Sequence, residues 1–154
     1  MSIRRPARRE SVNRRRILVL CTGNSCRSQM AEGFFRHYGS GAIEVYSAGL
    51  EPKGLNPRAV QVMREVGIDI SNHTSDHLSK YLGHSFDFVL TVCDNAAANC
   101  PLFPGGGTRL HWPFADPGEA TGNEEQVLAA FRRVRDDIGK QVNNWLQKEG
   151  TPGR

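Results

Sequence analysis

Long apolar runs are absent from this sequence. None approaches the ~20 consecutive apolar residues that a helix needs to cross a bilayer, so no membrane span or membrane partner is expected. Cysteine is scarce, with only four among 154 residues (Cys21, Cys26, Cys93 and Cys100). Their C-x4-C and C-x6-C spacings do not match the pairs of a zinc site, and no H-x3–5-H pair completes a set. His73 and His77 stand at i, i+4 but in a polar stretch. In a reducing compartment such thiols read as catalytic rather than structural. An export signal is missing as well. The apolar run Ile17–Leu20 falls short of the roughly 7–15 residues of a signal core, and Leu20 is too large to precede a cleavage site. A cytoplasmic location is therefore expected.

Acidic residues are scarce at the start. Residues 1–16 hold seven arginines and one acid, Glu10, for a charge of +6, which leaves −2 of the overall +4 for the rest. The basic character thus belongs to an arm. Residues 1–15 read as a disordered, solvated extension rather than a nucleic-acid or lipid contact, so no nucleic-acid partner is expected. The remaining length suits one domain with a full core, residues 16–148, followed by a frayed tail, 149–154. No repeat or linker divides it.

What is present alternates between two periodicities. Arg16–Cys21, Ile43–Ser47, Phe86–Val92 and Thr108–Trp112 read as strands. Arg27–Tyr38, the segment from Asn56-Pro57 to Gly67, and a long helix from the Asn123 cap to about Leu146 read as helices. Thr74–Tyr81 reads as a short helix and Asp94–Asn99 as a helical turn. Alternating strands and helices predict an α/β fold, a single three-layer domain with a parallel sheet covered on both sides. Sites in such sheets lie beyond the C-terminal strand ends, where Cys21, Cys93 and Asp116 all fall.

Cys21 to Arg27 is a C-x5-R motif between a strand and a helix. The loop Thr22-Gly23-Asn24-Ser25-Cys26-Arg27-Ser28 would turn its N–H groups inward, and the helix start adds positive potential, making a nest for an oxyanion. Arg27 would grip two anion oxygens. The same field favours the Cys21 thiolate, and Ser28 is placed to hydrogen-bond its sulfur. Asn24 suits a left-handed position in the loop. Asp116, after the fourth strand, is the candidate general acid. If residues 93–100 are helical, the Cys93 and Cys100 Cα atoms lie roughly 10 Å apart. A disulfide needs them within about 7 Å, so pairing requires the segment to unwind.

Several stretches together resemble the thioredoxin-coupled arsenate reductases, which share the fold of low-molecular-weight tyrosine phosphatases. These are residues 21–33, Tyr46-Ser-Ala-Gly49, 68–75, Thr91-Val-Cys-Asp94, Asn99-Cys-Pro101 and 111–117. The likeness spans about residues 16–148. It implies a four-stranded parallel sheet in the order 2-1-3-4 and the reduction of arsenate to arsenite. Cys21 would attack arsenate, held by Arg27, with Asp116 protonating the departing hydroxyl. Cys93 would release arsenite as a Cys21–Cys93 disulfide forms. Cys100 would resolve this to Cys93–Cys100, which thioredoxin would reduce. The resemblance implies no tightly bound cofactor, a monomer, and a potassium position at Asn24, Glu32, Ser47 and Asp76; Cys26 has no required role. The sequence departs from the family in its arginine arm, in Gly105-Gly106-Gly107, and in Gly118 after the acid. The alternative is a tyrosine phosphatase using Cys21 and Arg27. Such enzymes usually carry Pro where Gln29 stands and aromatic residues where Gly118-Glu119 stand.

Overall fold

A computed structural model describes residues 14–149. Four strands form one parallel sheet: β1 (Arg15–Cys21), β2 (Ile43–Gly49), β3 (Phe88–Thr91) and β4 (Thr108–His111), in the order β2-β1-β3-β4. The order expected from the resemblance is the one observed. Helices α1 (Arg27–Gly39), α2 (Pro57–Glu65), α3 (Asp94–Ala98) and α4 (Glu124–Glu149) complete the domain.

β1 is central, and its side chains from Ile17 to Leu20 are at most 1% exposed. That is why its sequence is continuously apolar rather than alternating. α1 and α4 pack together over the sheet, where Phe35 contacts Trp112 and Trp145, and Phe88 meets Trp145 edge-on at 4.9 Å. The α4 stripe Val127, Phe131, Val134, Ile138 and Val142 is buried as its spacing predicts. Asn123 caps α4: its Oδ1 accepts from the Gln126 N–H, and Gln126 Oε1 accepts in return from the Asn123 N–H. The Asn56 side chain caps α2 in the expected way, accepting from the Arg58 N–H at 2.8 Å.

Several boundaries differ from the sequence reading. Arg15 is not in the arm but pairs with Ile43 as the first residue of β1, and Glu149 ends α4 rather than starting a tail. The remainder of both expected extensions lies outside the described residues. β3 is shorter than Phe86–Val92. Only Leu78–Tyr81 of the 74–81 segment is helical, as one 3-10 turn. Tertiary partners hold the rest extended. The Asp76 carbonyl accepts from the Gly49 N–H, and the Asp76 N–H donates to the Asn24 side chain.

The register explains how the site is assembled. Leu20 pairs with Thr91, and the Val92 N–H donates to the Leu20 carbonyl. Just beyond this pair the chain delivers Cys21, one residue after Leu20, and Cys93, two residues after Thr91, from neighbouring strands about 4.8 Å apart.

Candidate active site

The loop after β1 folds over the end of β2. Gly49 makes this possible, because a Cβ there would stand 2.6 Å from the Thr22 carbonyl oxygen and 2.9 Å from the Asn24 nitrogen. The chain following β2 then runs along the loop as a splint. N–H groups of Leu50, Glu51, Lys53 and Asn56 donate to the carbonyls of Cys21, Thr22, Gly23 and Ser25. With these four bonds made, the loop backbone is held in place from the β2 side.

Asn24 is left-handed, at φ 47°. It is fully buried, and its side chain reaches three ways: the amide donates to Ser28 Oγ (2.8 Å) and Ser47 Oγ (3.0 Å), and its oxygen accepts from the Asp76 N–H (2.9 Å). The Asn24 carbonyl accepts from Gln29 Nε2 and Ser75 Oγ. Gln29 also donates to the Thr74 carbonyl, and its Oε1 lies 3.0 Å from His73 Nδ1. Burial holds the His73 ring below its ordinary pKa, so it bonds as a neutral donor. α1 starts at Cys26 without a side-chain cap and with no acid in its first turn, which leaves its positive end open to an anion.

The cavity inside the loop has a volume of about 130 Å³ and is lined by residues 21–27 together with Lys53 and Asp116. Arg27 is aimed by the loop after β4: its Nη1 donates to the Phe114 carbonyl (3.0 Å), and its Nη2 lies 3.6 Å from Asp116 Oδ2. Asp116 Oδ1 accepts from the Gly118 N–H, fixing the carboxyl at the cavity mouth.

The two buried sulfurs of Cys21 and Cys93 share a hydrogen bond. That bond and burial push the Cys21 thiol up against the pull of Arg27. Cys93 is pulled down to about 5, chiefly by the bond from Cys21 and further by Thr22, whose Oγ1 stands 3.3 Å from the sulfur. Asn95 Nδ2 donates to Thr22 Oγ1, leaving the Thr22 hydroxyl hydrogen for Cys93. The two sulfurs titrate as a coupled pair, with Arg27 favouring the charged form of both. Ser28 also differs from expectation: its Oγ is engaged by Asn24, while the Cys21 sulfur takes a bond from the Thr22 N–H.

Cys100 is not in the cavity. It is half-buried beyond α3, and its thiol lies 3.6 Å from the Pro101 carbonyl, which Arg109 also holds. Burial raises its pKa. Cys26 is buried in the loop beside Ser25, and burial raises it likewise.

The four expected potassium residues do converge. Glu32, Ser47 and Asp76 line one small cavity, and Asn24 bonds to Ser47. Their acceptors are already engaged. Glu32 takes the Ser47 hydroxyl on one oxygen and Arg36 on the other, Asp76 pairs with Lys80 at 3.6 Å, and the Asn24 oxygen holds the Asp76 N–H. Two carboxylates facing two side-chain cations do not fit an added ion unless Arg36 or Lys80 moves away. Among the described residues, no group of three His, Cys, Asp or Glu side chains is arranged to hold a metal.

Sequence reasoning missed Thr22 as a sulfur partner, Gln29 and Ser75 as loop braces, the Phe114 carbonyl as the guide for Arg27, and Lys53 in the cavity wall. The only local sign of any of these was the Gln at 29, where the phosphatase pattern has Pro.

A family model described as low molecular weight phosphotyrosine protein phosphatase matches residues 16–150. An arsenate reductase of Shouchella clausii (strain KSM-K16) is 54% identical over 131 residues, 85% of this chain and 94% of that protein. Among solved structures, an arsenate reductase in the phosphate binding state superposes with a TM-score of 0.71 at 36% identity, covering 87% of this chain and 98% of that one. Another, in oxidized state, gives 0.74 at 34% identity, covering 88% and 99%.

Proposed function

The chain belongs to the low-molecular-weight phosphotyrosine protein phosphatase family, and from that premise we propose that it is an arsenate reductase working through a three-thiol relay. One observation carries the relay. The Cys93 thiol lies within hydrogen-bonding reach of Cys21, which lines the anion cavity, and a hydrolase has no use for a second thiol there.

Arsenate enters the nest of loop N–H groups and Arg27. The Cys21 sulfur attacks arsenic as its proton passes to an acceptor in the pair or on the anion. A hydroxyl on arsenic, protonated by Asp116, leaves as water, and an S–As(V) bond remains. Cys93 then attacks the Cys21 sulfur. The S–As electron pair stays on arsenic, which departs as arsenite, and the two sulfurs lose two electrons in forming a disulfide. Cys100 attacks Cys93, Cys21 leaves as thiolate, and the Cys93–Cys100 bond forms. α3 must unwind for this step. It is a helix of only five residues with Ala96 as its one buried residue, so unwinding costs little. A small dithiol protein of the thioredoxin kind then reduces the exposed bond, and the reaction belongs in the cytoplasm, where such reductants are kept reduced.

The test is arsenate-dependent NADPH oxidation with thioredoxin and its reductase. Cys21→Ser, Cys93→Ser and Cys100→Ser are each expected to abolish repeated turnover. Hydrolysis of an aryl phosphate, the secondary reaction open to Cys21 and Arg27, should be lost in Cys21→Ser and retained in Cys93→Ser. Full arsenate turnover in Cys93→Ser would overturn the relay.

A further inference from the structure

We propose that Lys53 is a substrate-capturing residue, the second cation of the anion cavity, selecting doubly charged tetrahedral anions on entry. The proposal deepens the reading above and rests on it only for the identity of the anion.

Lys53 lines the same cavity as the arginine. Its backbone N–H is fixed to the Gly23 carbonyl at 2.9 Å, one of the four bonds of the splint. Its aliphatic stem lies against Gly23, where an added Cβ would meet Lys53 Cδ at 3.4 Å and Cγ at 3.5 Å. The stem that carries the ammonium thus lies against the loop itself. Among the described residues no carboxylate forms an ion pair with it, in contrast to Lys80, which faces Asp76.

The charge balance of the cavity shows why a second cation matters. Arg27 shares its charge with the Asp116 carboxylate 3.6 Å away, and the sulfur pair carries a thiolate. Arg27 alone would leave the mouth net negative toward an incoming dianion. The Lys53 ammonium brings the cavity back to neutral, and the loop N–H groups then make it attractive. The same charge favours release in the right direction. Arsenate enters as an anion and leaves reduced as neutral arsenous acid, which a lysine at the rim does not hold. Lys53 touches no bond that breaks, so its effect belongs to capture rather than to chemistry.

The experiment measures binding of inorganic phosphate to the reduced full-length protein by calorimetry at several ionic strengths, alongside arsenate kinetics. Removing one unit charge at this range is expected to weaken phosphate binding roughly five- to twentyfold in Lys53→Gln and more in Lys53→Glu. Lys53→Arg should stay within about twofold of the unaltered protein, and the salt dependence of binding should flatten in Lys53→Gln. For arsenate, KM should rise by the same factor while kcat changes less than about twofold. Lys140→Gln, which removes an exposed lysine of α4, controls for net charge and should leave phosphate affinity unchanged. Phosphate affinity in Lys53→Gln equal to that of the unaltered protein would refute the proposal, as would an equal loss in Lys140→Gln. If the unaltered protein bound phosphate through Lys53 but reduced no arsenate, the function proposed above would fall and the capture role would stand.

Discussion

Residues 22–28 and residues 94–107 flank the same pair of sulfurs and are held in opposite ways. Around Asn24, the side-chain amide, the side-chain oxygen and the carbonyl are held by three parts of the chain: α1 through Ser28 and Gln29, β2 through Ser47, and the 74–76 segment through Ser75 and Asp76. The second region has a five-residue helix, few buried side chains beyond Ala96 and Phe103, three consecutive glycines at positive φ, and Leu102 left 88% exposed. The first must hold its shape while charge changes in front of it, and electrostatic stabilisation is strongest where donors need not reorganise. In the proposed relay the second changes shape once per turnover, and its native contacts are few and local.

The contrast breaks most completely at Gly49. In Gly49→Ala the new methyl meets the Thr22 carbonyl at 2.6 Å, which displaces the loop. Arsenate turnover is expected to fall about a hundredfold or more, with phosphate binding lost in parallel. Next come paired asparagines. Asn24→Ala removes three buried hydrogen bonds and should cost about 2–4 kcal/mol in denaturant unfolding, whereas Asn95→Ala in the looser region should cost about 1 kcal/mol or less. Equal losses would remove the distinction between the two regions. The third test lies between them. With Cys93 drawn down to about 5, its alkylation by iodoacetamide should stay level from neutral pH down to that value and fall below it, where the thiolate takes up a proton. Thr22→Val removes a bond that favours the thiolate, so the midpoint should move up. The smallest effect concerns potassium. With Glu32 and Asp76 already facing Arg36 and Lys80, exchanging potassium for a bulky organic cation at constant ionic strength should change arsenate KM by less than about twofold.

The strands and helices were legible because burial writes itself into periodicity. The unbroken Ile17–Leu20 run announced a central strand, and the α4 stripe announced a buried face. The C-x5-R motif was legible because its chemistry is local to one strand–loop–helix unit. Asn24 was legible for the same reason, since a left-handed position is a property of one residue and its neighbours. Ser28 was misread. Its partner, Asn24, is chosen by competition among several acceptors, which the chain order does not reveal. Segment 74–81 failed because its backbone partners lie on β2 and in the loop, and these override a weak local helical preference. Lys53 was invisible because its place depends on how the chain after β2 runs back along the loop.

α1 begins without a side-chain cap and without an acidic residue in its own first turn, beside the anion cavity. A tetrahedral anion seated there finishes the helix as a serine or aspartate would in another protein. Orthophosphate in the surroundings therefore acts as a folding ligand as well as a competitor. At a hundred times its dissociation constant it would add about 2.7 kcal/mol to the native state and raise the melting temperature accordingly. A protein washed free of phosphate would then be faster to bind arsenate and quicker to denature, two properties set by the same missing cap.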